Sequence, residues 1–260
     1  MTVTFGPACI GSHYENTFKL LKENGLRCAE VAFTHSVYMK NNKIAQKVGE
    51  SAKKYDIDLS VHCPYYINLI SADKMKIGAS KKRIITSAER GHHMGAKYII
   101  FHAGYYGKFS KEDAYEGIRQ AVDDMQDYIK DKKWKVKLAP EVMGKNTSFG
   151  TIDELYDLHK ETKCAVCVDF AHLKAHYRGK IDWKHVFDIM KKFRFKPLTA
   201  HMSGIEFGPK GERRHVLTPS KEIKTVLEWI KKYKLDIRLI NESPDNFNDA
   251  LKSLKIYNRM

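Results

Sequence analysis

Apolar and polar positions divide the chain into short apolar runs and longer stretches with helical spacing. Eight runs read as strands: Val3–Phe5, Cys28–Phe33, Asp58–His62, Lys97–His102, Lys135–Glu141, Ala165–Phe170, Leu198–Met202 and Ile237–Glu242. Between them apolar residues recur at i, i+3, i+4 and i+7. Ala114, Ile118, Ala121, Val122, Met125 and Ile129 form one such stripe, and Val226, Leu227, Ile230 and Tyr233 another. Eight strands alternating with eight helices predict an α/β chain of parallel β-α units. Eight is the number that closes a cylinder, so the expected fold is a single (β/α)8 TIM barrel domain over residues 1–260. No linker, low-complexity run or internal repeat divides it. An open doubly wound sheet is the other arrangement of such units, but no glycine-rich dinucleotide loop follows an early strand.

Composition adds three constraints. Hydrophobic residues make up 43% of the 260, enough for a sizeable core. No stretch approaches the ~18 apolar residues of a membrane span. The opening "MTVTFGPACIGSHYENT" lacks a charged region followed by an apolar run, so no signal peptide and no membrane partner are expected. Five cysteines without a regular framework fit a reduced, cytoplasmic setting. The C-x-x-C of "KCAVCV" (Cys164, Cys167) lies in an apolar run and reads as two buried thiols on opposite strand faces. Lys plus Arg is 46 against 31 acids, a net +15. Such a field attracts polyanions, although a lysine-rich proteome gives the same count without one.

The strand ends carry the chemistry. The third strand ends in His62, the fourth in His102, the fifth in Glu141 and the sixth in Asp169, with His172 three residues on. The seventh ends in His201 and the eighth in Glu242. Active sites of such barrels are built at the carboxyl ends of the strands. One histidine there is ordinary. Six consecutive strands delivering imidazoles and carboxylates to one rim create a charge conflict that divalent cations relieve. Mixed His and carboxylate donors suit zinc, with manganese or iron as alternatives. Cysteine supplies no obvious ligand, since Cys63 beside His62 should face away. The loop after the seventh strand, "GIEFGPKGERRHVL", adds Glu212 and His215, flanked by Arg213 and Arg214. A solvated charged loop is the plainer reading of that segment. So many donors suggest more than one ion, since one zinc takes about four.

In these residues the chain resembles the endonuclease IV family, the zinc-dependent apurinic/apyrimidinic endonucleases on a (β/α)8 barrel. The successive stretches "HCPYYINL", "FHAGYYG", "PEVMGKNTSFG", "VDFAHLKA", "HMSG…ERRH" and "NESPD" look like that family's motifs in order, on a divergent branch. The resemblance implies two or three zinc ions. His62, His102 and Glu141 would hold one. Glu141 would bridge to a second, held by Asp169, His201 and Glu242. His172 and His215 would hold a third, with Glu212 replacing an aspartate at altered spacing. The opening also departs: "FGPACIGS" stands where the family has a Gly-Ala-His-Val-like strand.

The implied activity is cleavage of the DNA phosphodiester 5′ to an abasic site by a zinc-activated hydroxide, leaving a 3′-hydroxyl, with Glu141 as the catalytic bridging residue. The matching loop of the family inserts side chains at the lesion, a role that falls here on Tyr65 and Tyr66. Tyr105 and Tyr106 are a second aromatic pair, and Lys145, Lys210, Arg213 and Arg214 are candidates for phosphate contacts. The expected partner is DNA containing abasic sites, and the expected state a monomer. A single-metal sugar or sugar-phosphate isomerase or epimerase of the same superfamily is the alternative, with Glu141 and Glu242 as acid and base and Asp169 and His201 completing the site. A silent nucleic-acid-binding barrel is a third reading, and it predicts missing ligands.

Overall fold

A computed structural model describes residues 1–10 and 13–260. Eight parallel strands form the inner wall: β1 (Val3–Pro7), β2 (Cys28–Ala32), β3 (Asp58–His62), β4 (Tyr98–Phe101), β5 (Lys137–Pro140), β6 (Cys167–Asp169), β7 (Leu198–Met202) and, after a hairpin, β10 (Ile237–Asn241). Hydrogen bonding runs β1-β10-β7-β6 along one half and β2-β3-β4-β5 along the other. Two seams join the halves. At the β5–β6 seam Ala165 N–H donates to Leu138 O at 2.8 Å and Val142 N–H to Cys167 O at 3.0 Å. At the β1–β2 seam Arg27 N–H donates to Phe5 O at 3.1 Å. Gly6 permits that approach, because a Cβ there would lie 1.6 Å from the Cys28 carbonyl oxygen.

The outer layer is α1 (Tyr14–Glu23), α2 (Asn42–Lys54), α3 (Lys74–Met94), α4 (Lys111–Asp131), α5 (Ile152–Thr162), α6 (Phe170–His176), α7 (Trp183–Lys192), α8 (Ser220–Tyr233) and α9 (Asn246–Arg259). Most of the helices bury an apolar stripe, whereas α9 buries Ala250 between Asp249 and Ser253. In α4 all six expected residues, Ala114 to Ile129, are buried. Side-chain caps fix the helix starts. Asn41, Asp73, Ser110 and Asp182 each accept a backbone N–H, and Thr151 with Glu154 forms a capping box on α5. Such caps contribute about 1 kcal/mol each.

All eight expected strands are present, with ends displaced by no more than two residues. The displacements have a local cause. Phe170 was expected to close the sixth strand, but it opens α6, because the Asp169 side chain accepts the His172 N–H and starts the helix. His102, Glu141 and Glu242 fall one residue beyond their strands. Two expectations are corrected. Nine helices are described rather than eight, since α6 and α7 both separate β6 from β7. The segment read as a charged loop is an antiparallel hairpin, β8 (Gly204–Gly208) with β9 (Gly211–Val216). In the departing opening stretch, Gly11 and Ser12 lie outside the described residues. Among the described residues no helix is long and apolar enough to cross a membrane.

Candidate metal centre

Glu141 is fully buried at the carboxyl end of the cylinder, and its two oxygens face different histidines. Its Oε2 lies 3.1 Å from both His62 Nε2 and His102 Nε2. Its Oε1 lies 2.9 Å from His201 Nδ1. Two donor groups therefore share it. His62, His102 and Glu141 bring donor atoms within 4.8 Å of one another, and so do Glu141, Asp169, His201 and Glu242. A third group adjoins them: His172 Nε2 is 3.0 Å from Glu212 Oε2, and the His172 and His215 rings are 5.4 Å apart.

The far nitrogens of His62, His172, His201 and His215 each have their own partner. His62 Nδ1–H donates to Cys63 O at 2.8 Å and His172 Nδ1–H to Val142 O at 2.9 Å. His215 Nδ1 meets Ser203 Oγ at 2.6 Å. His201 Nε2 faces Glu30, 3.2 Å from Oε1. The inward nitrogens of His62, His172 and His201 are thereby left as lone pairs aimed at carboxylates, so a cation or a proton must lie between.

Without a metal, protons fill that role. Burial alone depresses the His62 ring, but the hydrogen bond and charge of Glu141, with Glu30 and Glu242, carry it up to about 9. Against burial, His172 is likewise raised well above the ordinary histidine range by Asp169, Glu141 and Glu212, and His201 by Cys167 together with Glu242, Glu30 and Glu141. Glu141 is held well below the usual carboxylate range: burial opposes this, and His201 with hydrogen bonds from His102 and His172 wins. Glu242 moves the other way. Burial, aided by Glu141 and Asp169, lifts it to about 7 against the pull of His201.

Buried oxygens without donors indicate cations. Asp169 Oδ1 caps α6 through the His172 N–H at 2.8 Å, whereas its Oδ2 is buried and has no hydrogen-bond partner. Glu212 Oε2 also makes no hydrogen bond, although His172 Nε2 lies 3.0 Å away. A buried carboxylate oxygen left so is costly unless a cation completes it. Mixed imidazole and carboxylate donors in clusters of three and four fit divalent ions of the zinc or manganese type.

The hairpin solves a spacing problem. Residues three apart on a regular strand point to opposite faces. Glu212 and His215 share a face because β9 carries an extra residue. His215 pairs with Ile205 and Arg214 with Glu206, but Glu212 pairs with Phe207, so Arg213 is bulged out. The facing loop after β5 makes room. A Cβ on Gly144 would stand 2.4 Å from Glu212 Oε2.

A cavity of about 390 Å³ opens above these donors, and Tyr65, Tyr105 and Lys145 line it. Tyr66 stands outside that lining, 65% exposed and stacked on His35 with ring centres 6.3 Å apart. The other rim candidates have partners or positions of their own. The Tyr106 hydroxyl donates to Glu154 at 2.6 Å and its ring packs edge-on against Phe149, so it braces the fold. Arg214 is paired through two nitrogens with Glu206 on the opposite hairpin face. Arg213 packs beside Gly208, and Lys210 is exposed at the hairpin turn. Lys145 lies 3.6 Å from Glu212.

Two residues escaped the reading of strand ends. Glu30 is an acid in the middle of the apolar run "CAEVA", and a charge at a core position was its only signal. Cys167 corrects the expectation that no thiol approaches the site. It precedes Asp169 by two on β6, hence on the same face, and its sulfur falls within 4.8 Å of donor atoms of Glu141 and His201. Burial keeps that thiol protonated. All five cysteines are free, and Cys164 lies just ahead of β6 rather than on it.

The model of the xylose isomerase-like TIM barrel family matches residues 18–178. An uncharacterized protein of Methanocaldococcus jannaschii is 36% identical over 269 residues, covering 98% of this chain and 97% of its own. A probable endonuclease 4 of Mycoplasma mobile is 36% identical over 121 residues, 45% of this chain and 41% of that protein. The match therefore spans under half of that relative. Among solved structures, SacUVDE superposes with a TM-score of 0.76 at 15% identity, covering 95% of this chain and 84% of its own. Endonuclease IV from Thermus thermophilus gives 0.69 at 15%, covering 100% and 98%. A D-tagatose 3-epimerase-like protein gives 0.75 at 15%, covering 100% and 96%. At such identities these likenesses establish the fold alone. Matched by the family model over more than half its length, the chain belongs to the xylose isomerase-like TIM barrel family, on a branch diverged from the endonuclease 4 proteins.

Proposed function

We propose that this single-domain barrel is a metal-dependent DNA-repair endonuclease that cleaves the phosphodiester 5′ to an abasic site and leaves a 3′-hydroxyl. The observation that carries the reading is the division of Glu141. One buried carboxylate turns Oε2 to His62 and His102 and Oε1 to His201, and a third donor group stands beside it. That is more ligand than one ion uses, and clustered cations suit a phosphodiester.

Zinc is the proposed ion. His62, His102 and Glu141 would hold one, Glu141, Asp169, His201 and Glu242 a second, and His172, Glu212 and His215 a third. Ions so held supply Lewis-acid stabilisation of phosphate charge and a nucleophile at neutral pH. The chain's own residues do the rest. The Cys63 and Val142 carbonyls keep the His62 and His172 rings from turning. Tyr65 and Tyr66 stand on the β3 loop, about half and two-thirds exposed, as flat surfaces for the gap an abasic nucleotide leaves. Lys145, beside Glu212, neutralises a phosphate at the cavity edge. All donors come from one chain, so a monomer suffices, acting inside the cell where DNA is.

One observation favours a sugar epimerase instead. Glu242, held at about 7, suits proton transfer near neutrality. Against it, one ion would leave the His62–His102 pair or the His172–Glu212 pair idle. A duplex with a single abasic analogue, incubated with the zinc-loaded protein beside a panel of ketohexoses, separates the two. The expected result is a nick 5′ to the lesion, abolished in Glu141→Gln. An intact duplex with an epimerised sugar would refute the endonuclease reading.

A further inference from the structure

The outer partners of the ring nitrogens differ in kind. His62 and His172 lean on backbone carbonyls and His215 meets a hydroxyl. The far nitrogen of His201 meets a carboxylate. Its Nε2 lies 3.2 Å from Glu30 Oε1 and 3.3 Å from Oε2. Glu30 is in the middle of β2 and 0% exposed. Ser60, directly opposite in the β2–β3 register, donates its hydroxyl to Glu30 Oε2 at 2.6 Å.

A charge buried so deeply costs several kcal/mol unless it is compensated. Among the described residues no lysine or arginine pairs with Glu30, and its ion-pair contact is His201, across the barrel from β7. An apolar side chain would fill the same core position without that cost. The ion pair with His201 is therefore the feature that accounts for an acid here. We infer that Glu30 is a positioning residue: it holds the proton of His201 on Nε2, so that Nδ1 is the atom offered beside Glu141, Asp169 and Glu242. A carboxylate partner also makes the imidazole a stronger donor than a carbonyl partner does. The inference rests on the metal-site reading above and assigns the largest effect to the ion of the His201 group, whose ring Glu30 touches directly.

The test compares zinc-loaded wild type with Glu30→Gln, which keeps the size of the side chain and removes its charge. Zinc released per chain is counted during a chelator titration, and 15N-histidine NMR reads which ring nitrogen of His201 carries the proton. In Glu30→Gln one zinc should leave at about 10- to 100-fold lower chelator concentration than in wild type, the range for loss of an outer partner. The remaining zinc should shift by less than that one, and His201 should lose its single tautomer. If Glu30→Gln fails to fold, Ser60→Ala keeps the charge but loosens it, and should shift release of the same zinc in the same direction by less. Unchanged release with an unchanged tautomer overturns the inference, even if the melting temperature falls. Wild type that takes up no zinc overturns the metal reading first, and this inference with it.

Discussion

His62, His201 and Glu141 issue from the ends of barrel strands, whereas Glu212 and His215 stand on a hairpin that leaves the barrel. The difference shows in their surroundings. The strand-borne residues are 6%, 0% and 0% exposed and are locked by neighbours on both sides, while Glu212 and His215 are only part-buried. The hairpin pair depends on one glycine in a facing loop and one serine hydroxyl. Ligands on the wall of a closed cylinder are fixed by the fold. Ligands on an appendage are fixed by local details that can be removed one at a time. The strand-borne pair of groups and the hairpin-borne group should therefore fail independently.

The largest effect is expected from His201→Ala. It leaves two buried carboxylates, Glu30 and Glu141, without their shared cation. Removing one partner of a buried ion pair costs about 3–5 kcal/mol. Melting temperature and zinc content should fall together, and nicking should drop below detection. A variant that melts like wild type would show that the wall is less rigid than the geometry implies.

A pH series on metal-free protein probes the same wall. His62 is raised to about 9 in the folded chain, above the ordinary histidine value near 6.5. Its contribution is complete below about 6.5 and is lost as pH rises through about 9. Glu242, raised to about 7, acts with the same sign, losing stability as pH climbs from the carboxylate range through 7. The metal-free melting temperature should therefore fall by several degrees from pH 6 to pH 9. The zinc-loaded protein should fall less, because the cation replaces the protons. Equal slopes for the two forms would contradict the assignment of these groups to a metal centre.

His215→Ala should be milder. Zinc content is expected to fall by one per chain, with the strand-borne zinc retained and stability within about 1 kcal/mol of wild type, as for a part-buried residue. Loss of all zinc would mean that the groups are not independent.

The same contrast sets how much was legible in the sequence. Strand ends could be read because period and turn signals locate them to within two residues, and a barrel sends every carboxyl end to one rim. That was enough to bring His62, His102, Glu141, Asp169, His201 and Glu242 together. Glu30 was overlooked because it lies mid-strand, where the rule for strand ends does not look. The hairpin was overlooked because "GIEFGPKGERRHVL" is charged and lacks alternation, and its register is set by docking, with Lys145 bridged to Gly211. Charge and aromaticity make Arg213, Arg214 and Tyr106 candidate DNA contacts in the sequence, whereas the Glu206 partner of Arg214 and the Glu154 partner of Tyr106 are visible only in space.

Tyr66→Ala addresses the substrate rather than the metal. An exposed ring that stacks in the gap of an abasic duplex is worth about 1–3 kcal/mol, so affinity for that duplex should weaken by roughly tenfold with zinc content unchanged. Equal affinity of the two proteins would remove Tyr66 from the DNA surface.

The smallest effect is expected from deleting Arg213. In the native hairpin Arg213 is the extra residue that lets Glu212 pair with Phe207 while His215 pairs with Ile205. Without it Glu212 and His215 would be two apart, and a regular strand places such residues on one face. The bulge then has nothing to correct. Arg214 should keep its place opposite Glu206, and the Glu212 carboxylate should still lie over Gly144. Zinc content should stay at the wild-type value and nicking should change by no more than about twofold, a few tenths of a kcal/mol. If one zinc is lost, the bulge does more than restore register and also sets the height of Glu212 above His172. The hairpin group would then be as geometrically constrained as the wall, and the contrast between the two regions would shrink to a difference in exposure.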